Sequence, residues 1–341
     1  MIGKVGRLMK IRSQWFLVFI IILLFSLAGC KSQESPMEYG IVVQLDREWW
    51  PKNLLEYPFT HWTYMFKPDG KKVRPPRRSG ITFSWYRAFS PNGEWLAYEN
   101  VWNDQIYVMK VSSGEKFKVS SGSEEIAVNA IRWLGDGHTI VYGDDKVYIQ
   151  DLSCLLTKKL SSNCLPPPSI IKLGVNTSFE NISPDGKKII CTRYKYEDYV
   201  PVESDTLLME ITQSGPVSLP LSLAEQEFLI QFIDNTSVLV GSGNRVYIAE
   251  VSDKGLSSKR LIATIEMDAG WDISLSPDGK YIAFISDQDE GLGEAMDPYP
   301  GWDSVTTTSA LFIMDIATGK VRRLTYPNDH YVIWYGWYPL R

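Results

Sequence analysis

Ser276-Pro-Asp-Gly-Lys-Tyr-Ile-Ala-Phe284 is the stretch whose reading decides the fold, because it does not occur alone. It returns as Ser90-Pro-Asn-Gly-Glu-Trp-Leu-Ala-Tyr98 and as Ser183-Pro-Asp-Gly-Lys-Lys-Ile-Ile-Cys191. Two worn copies, Leu134-Gly-Asp-Gly-His-Thr-Ile-Val-Tyr142 and Ile233-Asp-Asn-Thr-Ser-Val-Leu-Val-Gly241, align with it without gaps. Proline pre-sets the second turn position, Asp or Asn bonds back to the local backbone, and glycine takes the conformation that other residues resist. Each turn is preceded by a large apolar residue (Phe89, Trp133, Ile182, Phe232, Leu275) and followed by three apolar columns. A short apolar run bounded by turn signals suits a strand covered on both faces. The phrase therefore reads as a hairpin inside a stack of sheets.

A second hairpin follows in most repeats. Ile106–Val111 with Lys116–Val119 and Leu311–Ile316 with Val321–Leu324 are the clear cases, each turning on a glycine (Gly114, Gly319). Weaker versions begin at Val147, Leu207 and Val246. The turns stand 43 to 50 residues apart. Four antiparallel strands at intervals near ~40–45 residues mark a β-propeller blade. A two-sheet sandwich would not account for five in-register copies. Val332–Trp337 reads as a sixth inner strand, with Trp337 in the column of Phe89, and the spare strands 39–45, 61–66 and 71–74 lie near the N-terminus. The expectation is an all-β, six-bladed propeller of four-stranded antiparallel blades, closed by pairing N- and C-terminal strands so that few edges stay open.

The phrase apolar-Ser-Pro-Asp-Gly-Lys-x-Ile-Ala-Phe resembles the repeat of the TolB-type propellers, also called WD40-like or PD40 repeats. It is carried best at 275–284, 182–191 and 89–98. The resemblance implies a six-bladed propeller. It is poor on function, since such propellers serve as binding platforms, as gating domains of serine peptidases and as parts of sugar-processing enzymes. TolB carries an α/β domain before its propeller, for which this chain has no room; the resemblance is to the propeller alone and implies no Tol–Pal-type partner.

The front of the chain reads as an address. Lys4, Arg7, Lys10 and Arg12 precede the apolar run 15–25, and Leu27-Ala-Gly-Cys30 follows. This is the pattern of a secretory signal peptide. Small residues before a cysteine resemble the lipobox of bacterial lipoproteins, which implies cleavage after residue 29 and lipidation of Cys30. The apolar run falls short of the ~20 residues a membrane span needs. The organisation expected is a signal peptide over 1–29, a lipidated tether over 30–38, and one propeller over 39–341 in the cell envelope, facing away from the cytoplasm. By the same analogy Lys31, in place of Asp, carries no inner-membrane retention signal.

The formal net charge is −5, and loss of the four basic leader residues takes the mature chain to −9. An acidic domain without basic clusters is a poor match for a phosphate backbone, so no nucleic-acid partner is expected. Cys191 sits in the column filled elsewhere by Tyr98 and Phe284 and reads as a buried apolar thiol. Cys154 and Cys164 flank a short loop that a disulfide could close in an oxidising compartment.

The longest insertions, 46–60, 195–205 and 287–308, all fall in connections that open on one face of a propeller. They carry Trp49, Trp50, Tyr196, Tyr199, Tyr299 and Trp302 among many carboxylates, which reads as an acidic, aromatic recognition face. Asp287, Asp289 and Glu290 hint at a calcium loop, although the spacing departs from a helix–loop–helix site and no metal is expected. The three histidines, His61, His138 and His330, are scattered, and no Gly-x-Ser-x-Gly elbow or phosphate loop occurs. No catalytic residue is assigned and no cofactor is expected; Arg132 or Arg193 in the central channel would serve a sugar-processing chemistry that no spacing singles out. The leading reading is a non-enzymatic platform for an envelope protein partner. The alternative is a propeller that binds or processes glycans through its Trp/Tyr-rich loops.

Overall fold

The serine of the repeated phrase does more than open a turn. Ser90 Oγ donates to Asn92 Oδ1 (2.7 Å) and accepts from the Trp95 amide (3.0 Å). Ser183 and Ser276 make the same pair of bonds with Asp185 and the Lys188 amide, and with Asp278 and the Tyr281 amide. Each hydroxyl ties the side chain of the turn to the first residue of the next strand, and Gly93, Gly186 and Gly279 follow at φ of 67°, 74° and 68°. In the copy at 134–142, which lacks the serine, Asp136 takes over, accepting from the His138 and Thr139 amides.

These hairpins assemble the chain in a computed structural model that describes residues 38–46, 62–73, 87–100, 103–120, 126–157, 164–197, 200–224, 226–265, 269–286, 310–325 and 331–340. In chain order the strands begin with β1 (Glu38–Asp46), β2 (Trp62–Phe66) and β3 (Lys72–Val73). The first complete sheet is β4 (Arg87–Phe89), β5 (Trp95–Asn100), β6 (Gln105–Lys110) and β7 (Lys116–Lys118). The second is β8 (Ala130–Trp133), β9 (Thr139–Gly143), β10 (Lys146–Asp151) and β11 (Ser169–Lys172), with the short helix α1 (Ser153–Thr157) before its last strand. The third is β12 (Thr177–Ile182), β13 (Lys188–Glu197), β14 (Val200–Thr212) and β15 (Gly215–Ser218). The fourth is β16 (Glu227–Phe232), β17 (Ser237–Ser242), β18 (Arg245–Ser252) and β19 (Gly255–Thr264). The fifth is β20 (Ala269–Leu275), β21 (Tyr281–Ser286), β22 (Ala310–Asp315) and β23 (Val321–Arg323). The last strand, β24 (Tyr331–Leu340), pairs with β1, so the sixth sheet runs β24-β1-β2-β3.

The chain is thus a six-bladed β-propeller, with six four-stranded antiparallel sheets among the described residues. Trp337 pairs with Ile41 as Phe89 pairs with Leu96, which places it in the column expected. The closing blade is tied on both sides. Toward the first blade, Tyr338 meets Phe89 edge-on at 5.0 Å. Toward the fifth, Trp337 Nε1 donates to Ser274 Oγ (3.0 Å) and Arg322 donates to the Pro68 carbonyl (3.3 Å).

The first apolar column (Ile41, Leu96, Ile140, Ile189, Leu239, Ile282) is buried throughout. Cys191 is fully buried, and desolvation pushes its thiol up to about 12, which leaves it protonated and unreactive. One part of the gapless alignment needs correcting. Phe89, Trp133, Ile182 and Leu275 each pair with the residue seven positions on, whereas Phe232 pairs with Val238, six on. The turn of the fourth blade is one residue shorter, closed by the Ile233 amide on the Ser237 carbonyl. With Pro and Gly both missing there, nothing holds the longer turn. Further along, Gly241 stands where other blades carry Tyr98, Tyr142 or Phe284, and the ring of Phe228 occupies that space, 2.5 Å from where a Cβ would sit.

Candidate functional site

The inner strands put one residue per blade on the channel, one position before the large apolar residue. These are Ala88, Arg132, Asn181, Gln231, Ser274 and Gly336. All six line a cavity of about 1450 Å³ that runs from the channel to the face bearing the connections between blades. Large apolar residues here would have filled the channel as a core; small and polar residues leave it open.

Arg87 and Glu180, also on inner strands, line the same cavity. Arg87, at the start of β4, is almost fully buried yet lines the cavity. Desolvation pushes its guanidinium down to about 9, so it remains a cation at neutral pH. Glu180 is the extra residue of a β-bulge in β12, where Phe179 pairs with Cys191 and Asn181 with Ile190. Bulges re-aim a side chain, and this one turns a carboxyl onto the cavity. Burial raises the Glu180 pKa, and hydrogen bonds from Thr192 and Asn129 with the nearby Arg132 guanidinium offset only part of that.

At the mouth, β13 and β14 run on past the end of β12 as a two-stranded ribbon. Residues 195–205, expected as a loop, are instead the tip of this hairpin, with strand continuing to Glu197 and resuming at Val200. The reason is cross-strand pairing. Arg193 stands opposite Asp205 with Nη2 and Oδ2 3.0 Å apart, and Lys195 opposite Glu203 at 3.5 Å. Opposite charges placed so are favourable by roughly 0.2–1 kcal/mol, though exposure keeps them at the low end. The alternate side chains Tyr194 and Tyr196 share the other face, with ring centroids 6.2 Å apart. Tyr196, Val200 and Val202 are 46%, 59% and 50% exposed.

Of the residues the sequence singled out, Tyr196 therefore sits on the mouth hairpin, and Arg132 and Arg193 both line the cavity. Cys154 and Cys164 are joined by a disulfide that closes the loop after α1. His138 bridges Asp136 (3.6 Å) and Asp151 (3.3 Å) and does not line the cavity. Cys30, Trp49, Trp50, Tyr199, Tyr299, Trp302, Asp287, Asp289 and Glu290, with His61 and His330, fall outside the described residues. Among the described residues no group of His, Cys, Asp and Glu side chains could hold a metal, and no helix is long and apolar enough to cross a membrane. Sequence reasoning missed Arg87 and Glu180. The available signal was a charged residue immediately before the channel position of an inner strand.

A second buried acid lies away from the cavity. Glu99, near the end of β5, is 8% exposed, and desolvation with Asp104 nearby pushes its pKa up from 4.5 to about 7. A folded-state value above the unfolded one gives stability that is fully present below pH 4.5 and is lost as pH rises through about 7. That difference corresponds to roughly 3 kcal/mol at about 1.4 kcal/mol per tenfold change in proton affinity. Urea unfolding of Glu99→Gln is expected to match the parent at pH 4.5 and to exceed it by roughly that amount at pH 8.5. An offset that does not change with pH would remove the assignment.

Comparison with known proteins follows from this geometry. The chain is similar to a protein assigned as TolB from Agrobacterium tumefaciens, at 15% identity over 90% of this chain and 100% of that one, with a TM-score of 0.49. It is similar to TolB from Acinetobacter baumannii, at 15% identity over 78% of this chain and 65% of that one, with a TM-score of 0.46. It is also similar to an oligogalacturonate lyase in complex with manganese, at 12% identity over 72% of this chain and 65% of that one, with a TM-score of 0.44. The chain thus spans 65% of the length of the last two. No protein-family model matches it, and no curated protein sequence matches it. At such identities and scores, nothing about ligand or activity passes from these proteins to this one.

Proposed function

We propose that this protein is a lipid-anchored, extracytoplasmic propeller that docks a protein partner without chemistry of its own. Residues 1–29 act as its signal peptide, Cys30 carries the lipid, 30–38 form the tether, and the propeller over 39–341 presents the docking face. The observation that carries the reading is the mouth hairpin. A paired two-stranded element displays Tyr196, Val200 and Val202 to solvent beside the channel opening. Large apolar side chains on a preformed support lose little conformational entropy on binding and favour a partner with its own apolar surface. The aromatic connections at 46–60 and 287–308 belong to the same class of connection and would enlarge this face.

The test compares pull-downs from envelope extracts made with the parent and with the Tyr196→Ala/Val200→Ser/Val202→Ser variant. A partner retained by the parent is expected to bind the variant at least about tenfold more weakly, since removing interface anchors costs on the order of 1–2 kcal/mol each. Equal retention would end the hairpin reading. Binding on a glycan array that Trp49→Ala and Trp302→Ala remove would favour the glycan alternative.

A further inference from the structure

We propose that the outer rim of the second blade docks a protein partner, with Pro166 and Pro167 entering a groove of aromatic side chains and Lys146 and Lys172 meeting carboxylates beside it. The prolines decide the backbone. Leu165, Pro166 and Pro167 each precede a proline, which pushes them out of the helical region, and no peptide bond among the described residues is cis. Residues 165–168 therefore form a turn of polyproline II helix, with about three residues per turn. Burial follows that period. Leu165 and Pro168 are half-buried, Leu165 against the core between the first two blades, while Pro166 and Pro167 are exposed. Both ends are fixed: Cys164 by its disulfide to Cys154, the Pro166 carbonyl by Gln150 Nε2 (2.8 Å), and Ser169 by the start of β11. Aromatic grooves recognise such segments because little order remains to be imposed on them.

The strands carry the surface onward. Ile170 stands opposite Tyr148, and Lys172 stands opposite Lys146. Side chains alternate along a strand, so Gln150, Tyr148 and Lys146 share one face of β10, which Ile170 and Lys172 continue on β11. Ile170 is 54% exposed. In extended chain, Pro166 and Lys172 lie roughly 20 Å apart, the span of a small groove. Both lysines are exposed, and among the described residues no acid pairs with either. Like charges directly opposite on a ladder oppose folding, and carboxylates on a partner would remove that repulsion. A lysine on an outer strand blunts its edge, but Lys146 belongs to the inner neighbour and serves no such purpose. An anionic lipid surface would match the lysines and offer no rings to the prolines.

This inference needs neither the mouth hairpin nor the lipid anchor. The intact chain is produced in its own host with the photo-cross-linker p-benzoylphenylalanine at position 170, and a second sample is treated with a carbodiimide that joins amines to touching carboxylates. Mass spectrometry is expected to place the photo-adduct among aromatic residues of one partner, and the Lys146 or Lys172 adduct on Asp or Glu of the same protein. Pro166→Gly/Pro167→Gly and Lys172→Glu should each cut the photo-adduct at least about fivefold, the first by loosening a preformed segment and the second by repelling the carboxylates. The urea midpoint of Lys172→Glu should stay at or above the parent's, because the substitution places opposite charges across the ladder. Tyr196→Ala should leave the photo-adduct unchanged. A yield at 170 no higher than at the exposed position 254, adducts only with lipid or with a second copy of this chain, a contact without aromatic residues, or a yield that neither variant lowers would each overturn the proposal. Loss of the adduct with Tyr196→Ala would assign the partner to the mouth hairpin and overturn it as well.

Discussion

Deletion of residues 331–341 is expected to abolish cooperative folding of the propeller. The segment supplies β24, which pairs with β1 from Glu38 to Asp46 and makes the sixth sheet four-stranded. It also carries Tyr335, whose ring is buried and whose hydroxyl donates to the Ala283 carbonyl (3.3 Å), and Trp337, bonded to Ser274. Loss of one large buried aromatic costs roughly 3–5 kcal/mol. That loss, with the half-buried Trp337 and a whole strand gone as well, is comparable to the ~5–15 kcal/mol that holds a typical domain together. The remaining chain would also expose an unpaired β1, a template for association between chains. Circular dichroism with urea unfolding and size-exclusion chromatography reads the outcome. A truncated monomer that unfolds cooperatively at the parent's midpoint would show that the ring does not depend on this closure.

Gly143→Ala is the second large effect, for a backbone reason. Gly143 ends β9 at a φ of 136°, a conformation that L side chains rarely adopt. A Cβ there would stand 2.0 Å from the Lys146 carbonyl oxygen, which belongs to the backbone of the paired strand and has no rotamer by which to retreat. Strain and overlap together are expected to cost at least about 3 kcal/mol. Gly137→Ala is the control. Its φ is 72° but nothing lies within 4 Å of the added carbon, so only the conformational cost of about 1–2 kcal/mol applies. Urea midpoints that place the two variants side by side would remove the steric account.

The blades were legible because their signals are local. Ser276, Pro277, Asp278 and Gly279 close their turn through bonds that stay within six residues, and any chain carrying them makes that turn. The same locality explains the limit of the reading. The worn copy at 233–241 kept the apolar columns but not the turn residues, so spacing alone did not show that its hairpin is one residue tighter. The charged segment 193–205 resembled a loop because cross-strand charge pairs are invisible along a single strand.

By itself the sequence determined the repeat, the number of blades, the joining of head and tail, and the burial of Cys191, since each rests on residues near one another or on a periodic column. Only the tertiary structure decided that Arg87, Arg132 and Glu180 share one cavity, and that Tyr196 rises on a strand at its mouth. The three charged residues come from three blades, and Glu180 faces inward through a bulge set by its pairing with β13. Their meeting depends on how the sheets stack around an axis, a relation between distant segments that no stretch of the chain encodes on its own.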